Sequence, residues 1–129
     1  MRRVLVVDDE PLTLEVAKMA LELAGWTVTT ATNGAEVLER ACVEQPDAIL
    51  MDVMMPGMDG PTACRRLAEA PTTAHIPVIL FTAKVQHAEQ RRWASLPVVG
   101  VLSKPFDPMR LAADVRTLLG WPEDVRDER

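Results

Sequence analysis

The stretch Pro46-Asp47-Ala48-Ile49-Leu50-Met51-Asp52, continuing into Val53-Met54-Met55-Pro56-Gly57-Met58-Asp59-Gly60, constrains the fold more than any other part of the chain. A short apolar run stops on a carboxylate and gives way at once to a loop rich in Pro and Gly. The run lacks helical period and is bounded by breakers, which predicts a strand. Apolar residues at successive positions need cover on both faces, as in a central strand of a parallel sheet. Asp52 then stands at the carboxyl end of that strand, the edge where open α/β sheets place ligands and chemistry.

The same pattern recurs along the chain. Arg3-Val4-Leu5-Val6-Val7 runs into Asp8-Asp9, Pro77-Val78-Ile79-Leu80-Phe81 ends on Thr82, and Val98-Val99-Gly100-Val101-Leu102 shortly precedes Lys104. Trp26-Thr27-Val28-Thr29-Thr30-Ala31 alternates and is β-branched, which predicts a strand nearer the sheet edge. Helical patterns lie between these runs. Pro11 suits the first turn of a helix with Leu14, Ala17, Leu21 and Ala24, joined by Val16, Ala20 and Leu23, on a wide apolar face; Gly25 is placed to stop it. Asn33 followed by Glu36 resembles a capping box, opening a helix that carries Val37, Leu38, Ala41 and Cys42 inward. Gly60-Pro61 opens a third with Ala63, Cys64, Leu67 and Ala68 facing in. A weaker helix is expected over 86–95, and Asp107-Pro108 would cap a last one with Leu111, Ala112, Val115, Leu118 and Leu119 as its core face. Five strands alternating with five helices predict a three-layer α/β/α domain over residues 1–120, with a doubly wound parallel sheet in the order 2-1-3-4-5. Residues 121–129 read as a charged tail or the start of a linker.

Composition narrows the function. At 129 residues, 48% hydrophobic and 26% charged, the chain reads as one globular domain. A net charge of −5 argues against a direct nucleic-acid partner, which needs a basic patch. No apolar run approaches the roughly 20 residues of a membrane span, and the four apolar residues before Asp8 are too few for a signal peptide. Cys42 and Cys64 have no ligand spacing and are expected as buried apolar residues, consistent with a reducing cytoplasm.

In a parallel sheet all strands end on one edge, so Asp8, Asp9, Asp52, Thr82 and Lys104 are expected on one rim. Three carboxylates together repel unless a cation neutralises them, and carboxylate oxygens with an open position suit Mg²⁺. Lys104 supplies a compact positive charge for an anion, and the Thr82 hydroxyl can bond a phosphoryl oxygen. The chemistry this suggests is phosphoryl transfer to a carboxylate, with Asp52 as nucleophile and Asp8 and Asp9 as metal ligands. Taken singly, each residue has a plainer explanation: Asp9 as a helix cap, Thr82 as a turn residue, Lys104 as a solvated charge. Their joint occurrence at successive strand ends is much harder to reach by chance.

These motifs, Val6-Val7-Asp8-Asp9-Glu10, the stretch from Met51-Asp52 to Asp59-Gly60, Thr82-Ala83 and Lys104-Pro105-Phe106, resemble the receiver domains of two-component response regulators. The resemblance covers about 3–120. It implies that Asp52 is the phosphoacceptor, and that Asp8, Asp9, Asp52 and the Met54 backbone carbonyl hold Mg²⁺. It also implies that Thr82 and Lys104 contact the phosphoryl group, and that Lys104-Pro105 is a cis peptide at the switch. The family often carries an aromatic residue three positions before the lysine, which turns inward as the threonine moves; here Val101 stands there, so coupling is expected through backbone and helix shifts. Output is expected from the face made by the weak helix, the fifth strand and the last helix.

The implied function is a cytoplasmic signalling module that is not an enzyme beyond its own phosphorylation and dephosphorylation. A histidine kinase or histidine phosphotransfer protein would donate, and a downstream protein would respond. The chain is expected to be a single-domain regulator, a phosphorelay shuttle or the receiver part of a longer protein. Alternatives are an adaptor that is never phosphorylated, which the complete set of acids, Thr82 and Lys104 opposes, and an aspartyl-phosphate phosphatase, whose Asp-x-Asp pattern Asp8-Asp9-Glu10 does not fit. A flavodoxin-like nucleotide binder is weaker, because no glycine-rich phosphate loop follows a strand. His75 in a loop and His87 on a polar helix are not expected to be phosphorylated, and Trp93 is expected to be half-buried packing. Lys84 and Met54 occupy positions where the family tunes dephosphorylation.

Overall fold

Each apolar run becomes a parallel strand. The computed structural model describes residues 2–83 and 95–122. In it β1 is Arg3–Val7, β2 Thr27–Ala31, β3 Ala48–Asp52, β4 Val78–Thr82 and β5 Gly100–Ser103. The five strands form one sheet in the order β2-β1-β3-β4-β5, as expected. Register aligns their carboxyl ends: Val7 lies beside Met51, Asp52 beside Phe81, and Thr82 beside Ser103. Asp8 therefore emerges level with Asp52, with Thr82 one step further along β4.

Alternation along the strands sends side chains to two cores. Val4, Val6, Leu50, Ile79 and Phe81 pack on one face, and Leu5, Val7, Ile49, Met51 and Leu80 on the other. The first face is covered by α1 (Pro11–Leu23) and α4 (Leu111–Leu119), through Leu14, Ala17, Leu21, Leu111 and Val115; the second is covered by α2 (Gly34–Glu44) and α3 (Gly60–Glu69), through Val37, Ala41, Ala63 and Leu67. All five residues of β3 are buried, which is why its sequence shows no polar alternation.

Helix ends follow local chemistry. Asn33 accepts a hydrogen bond from Glu36 N at 2.8 Å, while the Glu36 carboxylate turns back to Thr32 N. Asp59 caps α3 by accepting from Thr62 N at 2.8 Å. Gly25, at φ +93°, makes the left-handed turn from α1 toward β2.

Several expectations need correction. Cys42 is exposed, and so are Ala68 and Leu23, because each lies just beyond the stripe its helix buries. β5 begins at Gly100 rather than Val98, although Val99 N already donates to Val78 O at 2.8 Å just ahead of the ladder. The last helix starts at Leu111 rather than after Asp107; Asp107 instead accepts from Met109 N and closes a turn ahead of it. Four helices lie among the described residues. The expected helix over 86–95, with Lys84, His87 and Trp93, falls outside them except for Ser95, which is in a turn.

Candidate functional site

The carboxyl ends of β1, β3 and β4 and the segment after β5 surround an open depression of about 610 Å³, lined by Asp8, Asp9, Asp52, Thr82 and Lys104, with Glu10, Met54 and Ala83 among its other walls. Asp8 is fully buried and Asp52 only 5% exposed, whereas Asp9 faces solvent. One carboxylate oxygen from each of the three lies within 4.8 Å of the others. That is a donor set of hard oxygens of the kind a small divalent cation requires.

Lys104 reaches into this cluster. Its ammonium lies 2.7 Å from Asp8 Oδ2 and 3.3 Å from Asp52 Oδ1, so one cation bridges both buried carboxylates. The lysine backbone is fixed by its N–H, which donates to Thr82 O at 2.7 Å. The other oxygen of Asp8 accepts from Glu10 N at 2.9 Å, which orients the carboxylate. Burial pushes the Asp52 carboxyl above the usual carboxylate range, and the neighbouring charge of Asp8 adds to that; Lys104 and a backbone hydrogen bond from Met54 pull the other way without cancelling it. Burial opposes the Lys104 ammonium, yet its bonds to Asp8 and Asp52 more than offset this and raise its pKa. The site holds one more negative charge than its fixed cation neutralises, even before Asp9 is counted.

Local sequence explains the seat of Asp52. The loop from Val53 folds back so closely that a Cβ on Gly60 would collide with the Asp52 carbonyl oxygen, which leaves glycine as the residue that fits there. Gly57, at φ +78°, makes the turn within the same loop. Met54 is exposed on the loop, and Met55 is buried below it. The Lys104-Pro105 peptide is cis. Val101 is half-buried on β5 and packs against the core on the α2 and α3 side.

The rim expected from the strand ends thus brings together Asp8, Asp9, Asp52, Thr82 and Lys104. Two residues at the site were missed in the sequence. Glu10 orients Asp8 through its backbone N–H, and its place in the acid run was a signal. Phe81 meets the Lys104 ammonium with its ring, at 4.9 Å from the centroid, and no spacing in the sequence betrays that contact.

This sheet order with acids, a threonine and a lysine on its carboxyl edge has the architecture of a CheY-like receiver domain. The chain belongs to the response regulator receiver domain family, whose sequence profile matches residues 4–116. It is 42% identical over 116 residues to the response regulator PleD of Caulobacter vibrioides, covering 90% of this chain and 26% of that protein. It is 38% identical over 119 residues to the DNA-binding dual master transcriptional regulator RpaA of a Synechocystis species, covering 92% of this chain and 49% of that protein. The chain thus spans about a quarter to a half of these curated relatives' length. Among solved structures, the chemotaxis response regulator CheY4 of Vibrio cholerae superposes with a TM-score of 0.86 at 28% identity, over 92% of this chain and 98% of that one. The receiver domain of the sensor histidine kinase PA1611 of Pseudomonas aeruginosa, with a magnesium ion coordinated in its active site cleft, gives 0.83 at 27% identity over the same shares. Receivers are signalling domains of two-component systems rather than enzymes with a separate substrate.

Proposed function

We propose that Asp52 accepts a phosphoryl group from a histidine kinase or histidine phosphotransfer protein, and that the new charge alters protein–protein contacts. The observation that carries this reading is the single lysine bridging two buried carboxylates beside a third, in an open depression at the carboxyl edge of the sheet. An Asp52 oxygen attacks phosphorus as the bond to the donor's imidazole nitrogen breaks, and the departing imidazole takes up a proton. Lys104 Nζ, already 3.3 Å from Asp52 Oδ1, is placed to bind a phosphoryl oxygen. Thr82, at the adjacent strand end, is assigned to the same group.

The residues fit Mg²⁺. Asp8, Asp9 and Asp52 supply hard oxygens within reach of one ion, and the Met54 carbonyl is the assigned backbone ligand. Bound there, the ion would neutralise the carboxylates and stabilise charge on the transferring group. The magnesium-bearing cleft of the PA1611 receiver supports this assignment. Asp8 stays oriented by Glu10 N while the Lys104 ammonium stands within reach of the anion.

The net charge of −5 favours action through protein partners rather than direct contact with nucleic acid. Residues 1–120 are assigned as the signalling unit, in the cytoplasm, and 121–129 as a tail or linker.

Intact mass after incubation with acetyl phosphate and Mg²⁺ tests the reading. One phosphoryl adduct is expected, absent from Asp52→Ala and from a sample with chelator. If neither an adduct nor binding of a beryllofluoride mimic is seen, the reading is wrong and a phosphorylation-independent adaptor takes its place.

A further inference from the structure

Among the described residues, the ammonium of Lys104 meets Asp8, Asp52 and the ring of Phe81. The two carboxylates are the groups a divalent cation and a phosphoryl group would engage, so neither is a constant partner for the lysine. The ring is different in kind. Phe81 is 1% exposed on the interior strand β4, directly beside Asp52 in the β3–β4 register. Its face attracts a cation through the ring quadrupole and carries no lone pair to compete for metal. Phe106, two residues after the lysine, stands against Phe81 in an edge-on contact, with centroids 6.2 Å apart and planes at 67°. The Lys104 backbone is tied to Thr82 O, so the side chain leaves a fixed base beside a fixed ring.

We infer that Phe81, braced by Phe106, is a positioning residue for phosphoryl transfer: its ring holds the Lys104 ammonium over the reaction rim when Asp8 is taken by a metal. This rests on Asp52 being the phosphoacceptor. An aliphatic residue at this position would keep the site apolar but give the ammonium no seat, and the lysine would then follow Asp8 or solvent.

The test replaces Phe81 with para-fluoro-, difluoro- and pentafluoro-phenylalanine, a series that nearly conserves volume while weakening the ring quadrupole stepwise, together with Phe81→Leu. Two readouts are made. In the unphosphorylated protein, the Lys104 ε-methylene protons should show an upfield ring-current shift that disappears in Phe81→Leu. The phosphorylation rate from acetyl phosphate should fall stepwise along the series, to a loss of about tenfold for pentafluoro-phenylalanine, with the thermal midpoint nearly constant. A rate indifferent to fluorination, or no ring-current shift, overturns the inference while leaving Asp52 as acceptor if the unmodified protein is phosphorylated. Failure of the unmodified protein to accept phosphate overturns both.

Discussion

Asp52 combines burial with a charged function, and these conflict. Burial and the charge on Asp8 hold its carboxyl above the usual range, so the ionised form is disfavoured in the folded state. A carboxyl whose pKa is higher folded than unfolded supports folding fully while protonated in both states, and that support is lost as pH rises through the folded value. Asp52→Asn should therefore raise the thermal midpoint at pH 7 in metal-free buffer. The advantage should shrink as pH falls through the carboxylate range, and calorimetry from pH 4 to 7 measures it. An equal midpoint for both proteins at pH 7 would mean that Lys104 already compensates the buried charge in full. Phosphorylation sites face the same conflict generally: a nucleophile must be dry enough to react and charged enough to attack.

Among the elements, α4 is held differently at its two ends. Its amino end follows the loop that carries Lys104, Pro105 and Phe106, whereas its carboxyl end closes on Gly120 in a left-handed turn. Just beyond, Trp121 meets Trp26 edge-on with centroids 5.4 Å apart, and the Arg2 guanidinium lies 4.3 Å from the centre of the Trp121 ring. Arg116 stands 5.9 Å from the Trp26 ring. This cluster ties the end of α4 to the amino edge of β1 and β2, at the opposite end of the sheet from Asp52. Trp121→Ala should cost about 1–3 kcal/mol in urea unfolding, since it removes an aromatic pair and a cation contact from a half-buried site. Phosphorylation at Asp52 should be unaffected. Loss of acceptor activity in that variant would place the clamp inside the switching path. Val101 belongs at this scale too. It packs with the α2 and α3 core, a short branched side chain at a half-buried strand position.

For the whole molecule, metal binding should couple to folding. The three-carboxylate site exists only when β1 and β3 are paired, so an ion that binds there binds the folded state alone. Mg²⁺ at a hundredfold excess over its Kd should stabilise the protein by about 2.7 kcal/mol. Denaturant unfolding with and without Mg²⁺ measures this, and Asp8→Ala should abolish the increment; a persistent increment would locate the ion elsewhere. No described helix is long and apolar enough to cross a membrane. Much of the molecule was legible from sequence because strands buried on both faces write themselves as unbroken apolar runs, and a parallel sheet delivers their ends to one edge. Strand order, the acid cluster and the Asn33 cap followed from that local chemistry. Helix faces were less legible. Cys42, Ala68 and Leu23 lie at stripe edges, where a small rotation decides between core and solvent. The start of the last helix was misplaced because Asp107 caps a turn as readily as a helix.

The sequence by itself determined which residues could converge, since hydrophobic period and breakers dictate strand ends and strand ends dictate the rim. Only the tertiary structure decided how they converge. The bridge from Lys104 to Asp8 and Asp52, the collision that reserves position 60 for glycine, and the ring of Phe81 beneath the ammonium all join residues far apart in the chain. Local propensity carries no record of such contacts, because they arise from sheet register and close packing.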